Sequence, residues 1–191
     1  GKPACMPCPD KKHCTKNTDC KSASCFGVAP NTTCVSCTDK EKSGTETDID
    51  CGGAFCDAQG KTCAVGKVCF VNADCATGNC ASGICQLLPD GSSCATNGQC
   101  AHNACVALGG GGKVCCATAC PDRGAASCNT DGKCLPSGAS CELYPSGTTC
   151  PGGTCVGSTL TPNACDGAGA CKPAASAMAP AISASVFAPC G

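Results

Sequence analysis

Residues Gly66 to Cys85 read GKVCFVNADCATGNCASGIC, placing Cys69, Cys75, Cys80 and Cys85 at gaps of five, four and four residues. An earlier stretch, Lys11 to Cys25, reads KKHCTKNTDCKSASC and sets Cys14, Cys20 and Cys25 at gaps of five and four. A later one, CATNGQCAHNAC, repeats that rhythm at Cys94, Cys100 and Cys105. In the first two, Asp19 and Asp74 precede the second cysteine, and Lys12 and Lys67 stand two residues before the first. Self-similarity of this kind marks a module used more than once, and it governs how the rest of the chain is read.

A second cadence runs between the modules. CASGICQLLPDGSSC ends at Cys94 and CNTDGKCLPSGASC ends at Cys141, sharing G-x-C, then Leu-Pro, then Gly and Ser before a closing cysteine. It returns in ACDGAGACKP at Cys165 and Cys171, and CPGGTC spans Cys150 to Cys155. Bridged cysteines need Cα atoms about 4.4 to 6.8 Å apart, so cysteines this close in sequence force the backbone to turn between them. Asp90-Gly91, Asn97-Gly98, Asp131-Gly132 and Asp166-Gly167 are residues that permit such turns. Strand pieces, such as Lys67 to Phe70 or Ile84 to Leu88, are then only a few residues long.

Composition says why cysteine must carry the fold. Leu, Ile, Val and Phe together number 22 of 191 residues, too few to pack a core that offsets roughly 1 to 2 kcal/mol of backbone entropy per residue. The 28 Cys supply the alternative, a covalent scaffold of the kind found in oxidising, extracellular compartments. The count is even, but connectivity cannot be read from it. Thiolate metal sites reuse tight C-x2-C pairs, and here only Cys5 to Cys8 and Cys34 to Cys37 have that spacing. With most gaps at four to nine residues and no C-x-C tracts, disulfides are the reading.

Other functions lack their residues. Net charge is −1 and Arg123 is the single arginine, so nothing builds the positive stripe of a nucleic-acid binder. His13 and His102 are the only imidazoles, each in polar, turn-rich sequence, and no apolar setting raises a carboxyl pKa for acid–base work. Neither a P-loop nor a dinucleotide fingerprint occurs among the glycines. Glu46, Asp48 and Asp50 alternate as calcium ligands do, but a proper loop places its carboxylates and closing Glu at fixed offsets that are missing here; a solvated loop is the expectation. The sequence therefore predicts no catalytic residue, no cofactor and no metal. Asn31-Thr32-Thr33 is the one N-x-S/T sequon, which makes Asn31 the candidate N-glycosylation acceptor. Phe26, Val28 and Tyr144 are candidates for small local cores or contacts to neighbouring chains.

Organisation follows from cysteine spacing. We divide the chain into a cysteine-rich module at 1–37, an acidic loop with the segment GTETDIDCGG at 38–65, a repeat at 66–106, glycine-hinged modules at 107–171 and an Ala/Pro/Ser-rich tail at 172–191. Ala107 to Gly112, ALGGGG, reads as a flexible joint, and the tail as either extended or packed against a partner. The start at Gly1, without Met or an apolar stretch, is expected of a processed form or a fragment. No run reaches the 18 or so apolar residues of a membrane span.

SGTETDIDCGGAFC, Ser43 to Cys56, followed by GKVCFVNADCATGNC, resembles a "G-T-E-T-D-x-D-C-G-G … C … G-K-x-C … D-C-x-S-G-x-C" module of large secreted and surface proteins of algae, oomycetes and some bacteria. Proteins similar to the mastigoneme subunits of flagellar hairs are among them. Gly44 to Asp48, Asp50, Cys51, Gly52, Gly53, Gly66, Lys67, Cys69, Asp74, Cys75, Gly78 and Cys80 fit the pattern. Ala54-Phe55 stands where that module often has Cys-Pro, and Thr77 replaces Ser. The later half also resembles cysteine-rich stalks of bacterial surface proteins. The resemblance implies extracellular architecture, on a flagellar or ciliary surface in the mastigoneme case, and transfers no catalytic residue.

The sequence thus predicts a small disulfide-rich fold: irregular, EGF-like modules with short β-hairpins and little helix, in an elongated tandem array. The expected role is a structural component of an extracellular appendage, filament or matrix, partnered by copies of itself, other extracellular proteins or glycans. A carbohydrate- or protein-binding adhesive module is the alternative, with a secreted protease inhibitor behind it.

Overall fold

The computed structural model describes residues 7–156 and 159–173. The chain forms two compact units, Gly1–Leu88 and Pro89–Gly191. Both are disulfide-rich and built from short antiparallel pairs, with one α-helix among the described residues, α1, of five residues, Gly53–Asp57.

The first unit contains two hairpins, β1 (Cys25–Val28) with β2 (Asn31–Cys34), and β3 (Cys80–Ala81) with β4 (Ile84–Cys85). The second contains β5 (Cys105–Ala107) with β6 (Lys113–Cys115), then β7 (Thr130–Cys134) with β8 (Cys141–Leu143). A three-stranded meander of β9 (Thr149–Val156), β10 (Thr159–Cys165) and β11 (Cys171–Pro173) follows, with β10 in the middle. Pro162 in that central strand stands where the β9–β10 register shifts, the kind of irregularity at which a residue without an N–H is tolerated.

The recurring cysteine rhythm is one recurring structure. Cys14–Cys25, Cys69–Cys80 and Cys94–Cys105 are bridged, each at sequence separation 11 and Cα–Cα 5.9 Å. A second bridge joins Cys20–Cys34, Cys75–Cys85 and Cys100–Cys115, with Cα–Cα of 5.4, 5.4 and 5.3 Å. The two bridges interleave in sequence and tie a 3-10 turn to a hairpin. The turns are Asn17–Asp19, Asn72–Asp74 and Asn97–Gln99. In each, the Asn Oδ1 accepts the N–H of the hairpin's first cysteine at 2.9 Å, Cys25, Cys80 or Cys105. The residue before the second cysteine caps the turn: Asp19 accepts from the Thr15 and Lys16 amides, Asp74 from Phe70 and Val71, Gln99 from Ala95 and Thr96. An added edge completes the unit, since the N–H of Cys34, Cys85 and Cys115 donates to the carbonyl of Lys12, Lys67 and Ser92. The shared contribution of Lys12 and Lys67 is therefore their backbone.

Burial places sulfur where other proteins place Leu and Val. Besides half-cystines, the buried apolar residues among those described are Val35, Ala104 and Val114. A bridge closing a loop of some ten to twenty residues removes unfolded-chain entropy worth about 3 kcal/mol in the chain-entropy account. That covalent contribution stands in for apolar area this sequence lacks.

Three expectations change on contact with the structure. Ala107 to Gly112 is not a joint: it closes the β5–β6 hairpin, with the Leu108 amide donating to the Gly112 carbonyl at 3.1 Å and the Cys100–Cys115 bridge spanning it. Bridges also cross the divisions drawn from sequence: Cys37–Cys56 links 1–37 to 38–65, and Cys100–Cys115 links 66–106 to 107–171. The strand pieces are shorter than the spacing predicts: Ile84–Cys85 is a two-residue strand and Val68 makes an isolated bridge to Ile84. Most of the Ala/Pro/Ser-rich tail, 174–191, lies outside the described residues.

Candidate functional site

GTETDIDCGG folds as a joint that fastens α1 to the following module, and most of its polar and glycine residues have a physical task. Gly52 and Gly53 have φ of 68° and 74°, and a Cβ on either would meet Thr47 Oγ1 or the Thr45 carbonyl at under 2 Å, so only glycine fits. Thr45 Oγ1 accepts the Phe55 amide at 3.3 Å. Cys51 bridges to Cys63, and Cys56 to Cys37.

The alternating acids are drawn to separate partners. Glu46 is buried; its Oε2 accepts the Ser43 amide at 2.8 Å, and burial pushes its carboxyl above the ordinary range. Asp48 accepts the Val68 and Ile49 amides at 2.9 and 2.7 Å and pairs with Lys67 at 3.2 Å; the Val68 amide above all holds it low. Asp50 accepts the Lys40 amide through both oxygens. These three carboxylates are engaged by backbone donors and, for Asp48, an ion pair, and so form part of the joint.

Asp74 is the most enclosed acid, 1 % exposed, and spacing alone marks only its place before Cys75. Burial opposes its ionisation, yet the amides of Phe70, Val71 and Gly53 outweigh that, and its pKa lies below the ordinary value. Asp57, from α1, meets it. Burial first, then the Asp74 charge and a hydrogen bond to it, push Asp57 up. The first residue of α1 is held to the 3-10 turn through its backbone, the Gly53 amide donating to Asp74 Oδ1 at 2.9 Å.

The remaining candidates disperse. His13 Nε2 lies 2.9 Å from the Pro30 carbonyl, and His102 Nδ1 lies 3.0 Å from Asp90 Oδ1; both are exposed, and they belong to different units. Tyr144 packs on the Cys128, Cys150 and Cys165 cluster and donates to Asp122 at 2.7 Å, a bond that raises the phenol and lowers the carboxyl. Asp166, held by Lys172 and by the Ala170 and Ala168 amides, is lowered to about 2.

Sulfur chemistry follows the bridges. Cys34 bonds Cys20 and Cys37 bonds Cys56, so that C-x2-C pair is split between two disulfides. Sulfurs of neighbouring bridges crowd within 4.8 Å, as at Cys14, Cys20 and Cys34, but a bridged sulfur has no thiolate to offer a metal. Cys155 is also disulfide-bonded, Cys8 is a half-buried free thiol, and Cys5 falls outside the described residues.

The hairpin β1–β2 presents the sequon. Asn31 and Thr33 are both exposed, on the strand after Ala29-Pro30. Phe26, at 44 % exposure, stands opposite Thr33, and Val28, at 84 %, stands opposite Asn31. Phe26 and Val28 are therefore exposed and belong to none of the buried clusters among the described residues.

No helix among the described residues is long and apolar enough to cross a membrane. No family model, no curated protein and no solved structure matches the chain.

Proposed function

We propose that this chain is a disulfide-stapled structural component of an extracellular appendage, filament or matrix. One observation carries the reading: polar contacts and bridges are spent on holding short modules rigid, from the three interleaved bridge pairs to the acidic joint. Short loops locked at both ends resist stretching and proteases, which is what a spacer or filament subunit needs. Disulfide density fits an oxidising, extracellular setting. The GTETDIDCGG resemblance supports the same role, with a flagellar or ciliary surface as its most specific form, and the reading assigns no catalytic residue.

A binding role is the second reading, favoured by one feature. Phe70 is 74 % exposed beside the exposed Val71, with Lys42 Nζ 5.7 Å from its ring centroid, and exposed aromatics are the residues that stack on sugars or anchor partners. Fractionating native source material separates the two. The structural reading expects the chain in insoluble or filamentous extracellular material, released only by reduction. Recovery as a soluble monomer that binds an immobilised sugar array, with loss of binding in Phe70→Ser, would replace it with the second.

A further inference from the structure

The three modules share a row of side chains on the face of the hairpin turned away from the bridges. In an antiparallel pair, residues directly opposite project to the same side, and positions two apart along a strand share that side. The rows are His13, Thr33 and Phe26 in the first module, Val68, Ile84 and Ala81 in the second, and Ser93, Val114 and Val106 in the third. In the third, the row is covered: Val114 is buried and Val106 half-buried, in a cluster with Leu108 of the same hairpin and with Cys116 and Cys134 from the segment that follows. In the first, the row joins no buried cluster among the described residues. His13, Phe26 and Thr33 are exposed there, and the longer hairpin continues the same face through Val28 and Asn31.

The uncovered face is also the one that carries the sequon. Val28 lies directly across from Asn31, about 5 Å between Cβ atoms in such pairs, and Phe26 is its diagonal neighbour at about 7 to 8 Å, within reach of an aromatic ring. We propose that Asn31 bears an N-linked glycan whose first N-acetylhexosamine lies over Val28 and Phe26, supplying for the first module the cover that the following segment supplies for the third. The donor class is a lipid-diphosphate-linked oligosaccharide. The Asn31 Nδ2–C1 bond forms, the C1–O bond to the diphosphate breaks, an amide proton leaves toward the departing diphosphate, and nothing is oxidised or reduced. The apolar C–H face of the sugar then meets Phe26 and Val28, while its hydroxyls stay in water. The inference needs only passage through a secretory lumen, and it stands whether or not the assembled material is filamentous.

The test has two arms. In native chain from extracellular material, amidase release of glycans in heavy-oxygen water should convert Asn31 to isotope-marked Asp; an unmodified Asn31 overturns the proposal, including the case in which Phe26 and Val28 are protected from labelling by another protein or another copy. In the full chain secreted from a eukaryotic host, Asn31→Gln and Thr33→Ala should lose the glycan and Phe26→Ser should keep it. Trimming the glycan should speed amide exchange of β1–β2 several-fold in wild type and little in Phe26→Ser. Equal acceleration in both overturns the placement of the sugar over Phe26.

Discussion

Ala23, Gly78 and Asn103 stand three residues after the second cysteine of their modules, and all three are left-handed, with φ of 55°, 73° and 52°. The fold requires that conformation and the sequence satisfies it unequally: Gly at no cost, Asn at little, Ala at roughly 1 kcal/mol. Space does not constrain Gly78, since a Cβ there meets nothing within 4 Å. Gly78→Ala should therefore destabilise the middle module by about 1 kcal/mol, and Ala23→Gly should stabilise the first by a similar amount. Amide exchange of each hairpin with bridges intact measures both; equal and opposite shifts support a shared backbone requirement, and no response in either contradicts it. At this scale Asp19 and Asp74 are legible as module markers from their place before a cysteine. Asn17, Asn72 and Asn97, equally regular, become meaningful only once their Oδ1 atoms are seen to accept the Cys25, Cys80 and Cys105 amides.

At the scale of the element, the 3-10 turns differ in one respect that titration exposes. Amides of the Thr15 region hold Asp19 low, and the Phe70, Val71 and Gly53 amides overcome burial to hold Asp74 low, whereas Gln99 performs the same capping without a charge. A carboxyl lowered on folding contributes stability that is present above its unfolded value, about 4 for aspartate, and is lost as pH falls through the lowered folded value. Amide exchange at Phe70 and Val71 should therefore accelerate below about pH 4, relative to intrinsic rates, while exchange at Ala95 and Thr96 does not. Parallel acid sensitivity in all three turns would contradict the capping assignment. Short hairpins were foreseeable from the cysteine spacing, but the Asn-Gly and Asp-Gly pairs do not mark most of their turns: Asn97-Gly98 lies in a 3-10 turn and Asp131-Gly132 inside β7, whereas Asp166-Gly167 does lie between paired strands. Ala107 to Gly112 looks like a linker because its glycines are uninterrupted; the Cys100–Cys115 bridge across it and the β5–β6 pairing make it a turn. The acidic run 38–50 looks solvated because its charges are visible in sequence and the amides that receive them are not.

Across the whole chain, bridging by the three-module rule explains what sequence spacing leaves open. The first bridge keeps separation 11 in every module because it spans the 3-10 turn, whose length is fixed; the second varies over 14, 10 and 15 because it spans a hairpin of variable turn. Counting cysteines shows that covalency must replace a core, and geometry shows which pairs do it. The measurement that bears most directly on this account is peptide mapping of the native chain by mass spectrometry without reduction. It should recover Cys69–Cys80 with Cys75–Cys85, and the matching crossed pairs in the first and third modules. Free thiols or metal-bound thiolates at those twelve positions, or a nested pairing of Cys69 with Cys85, would contradict it.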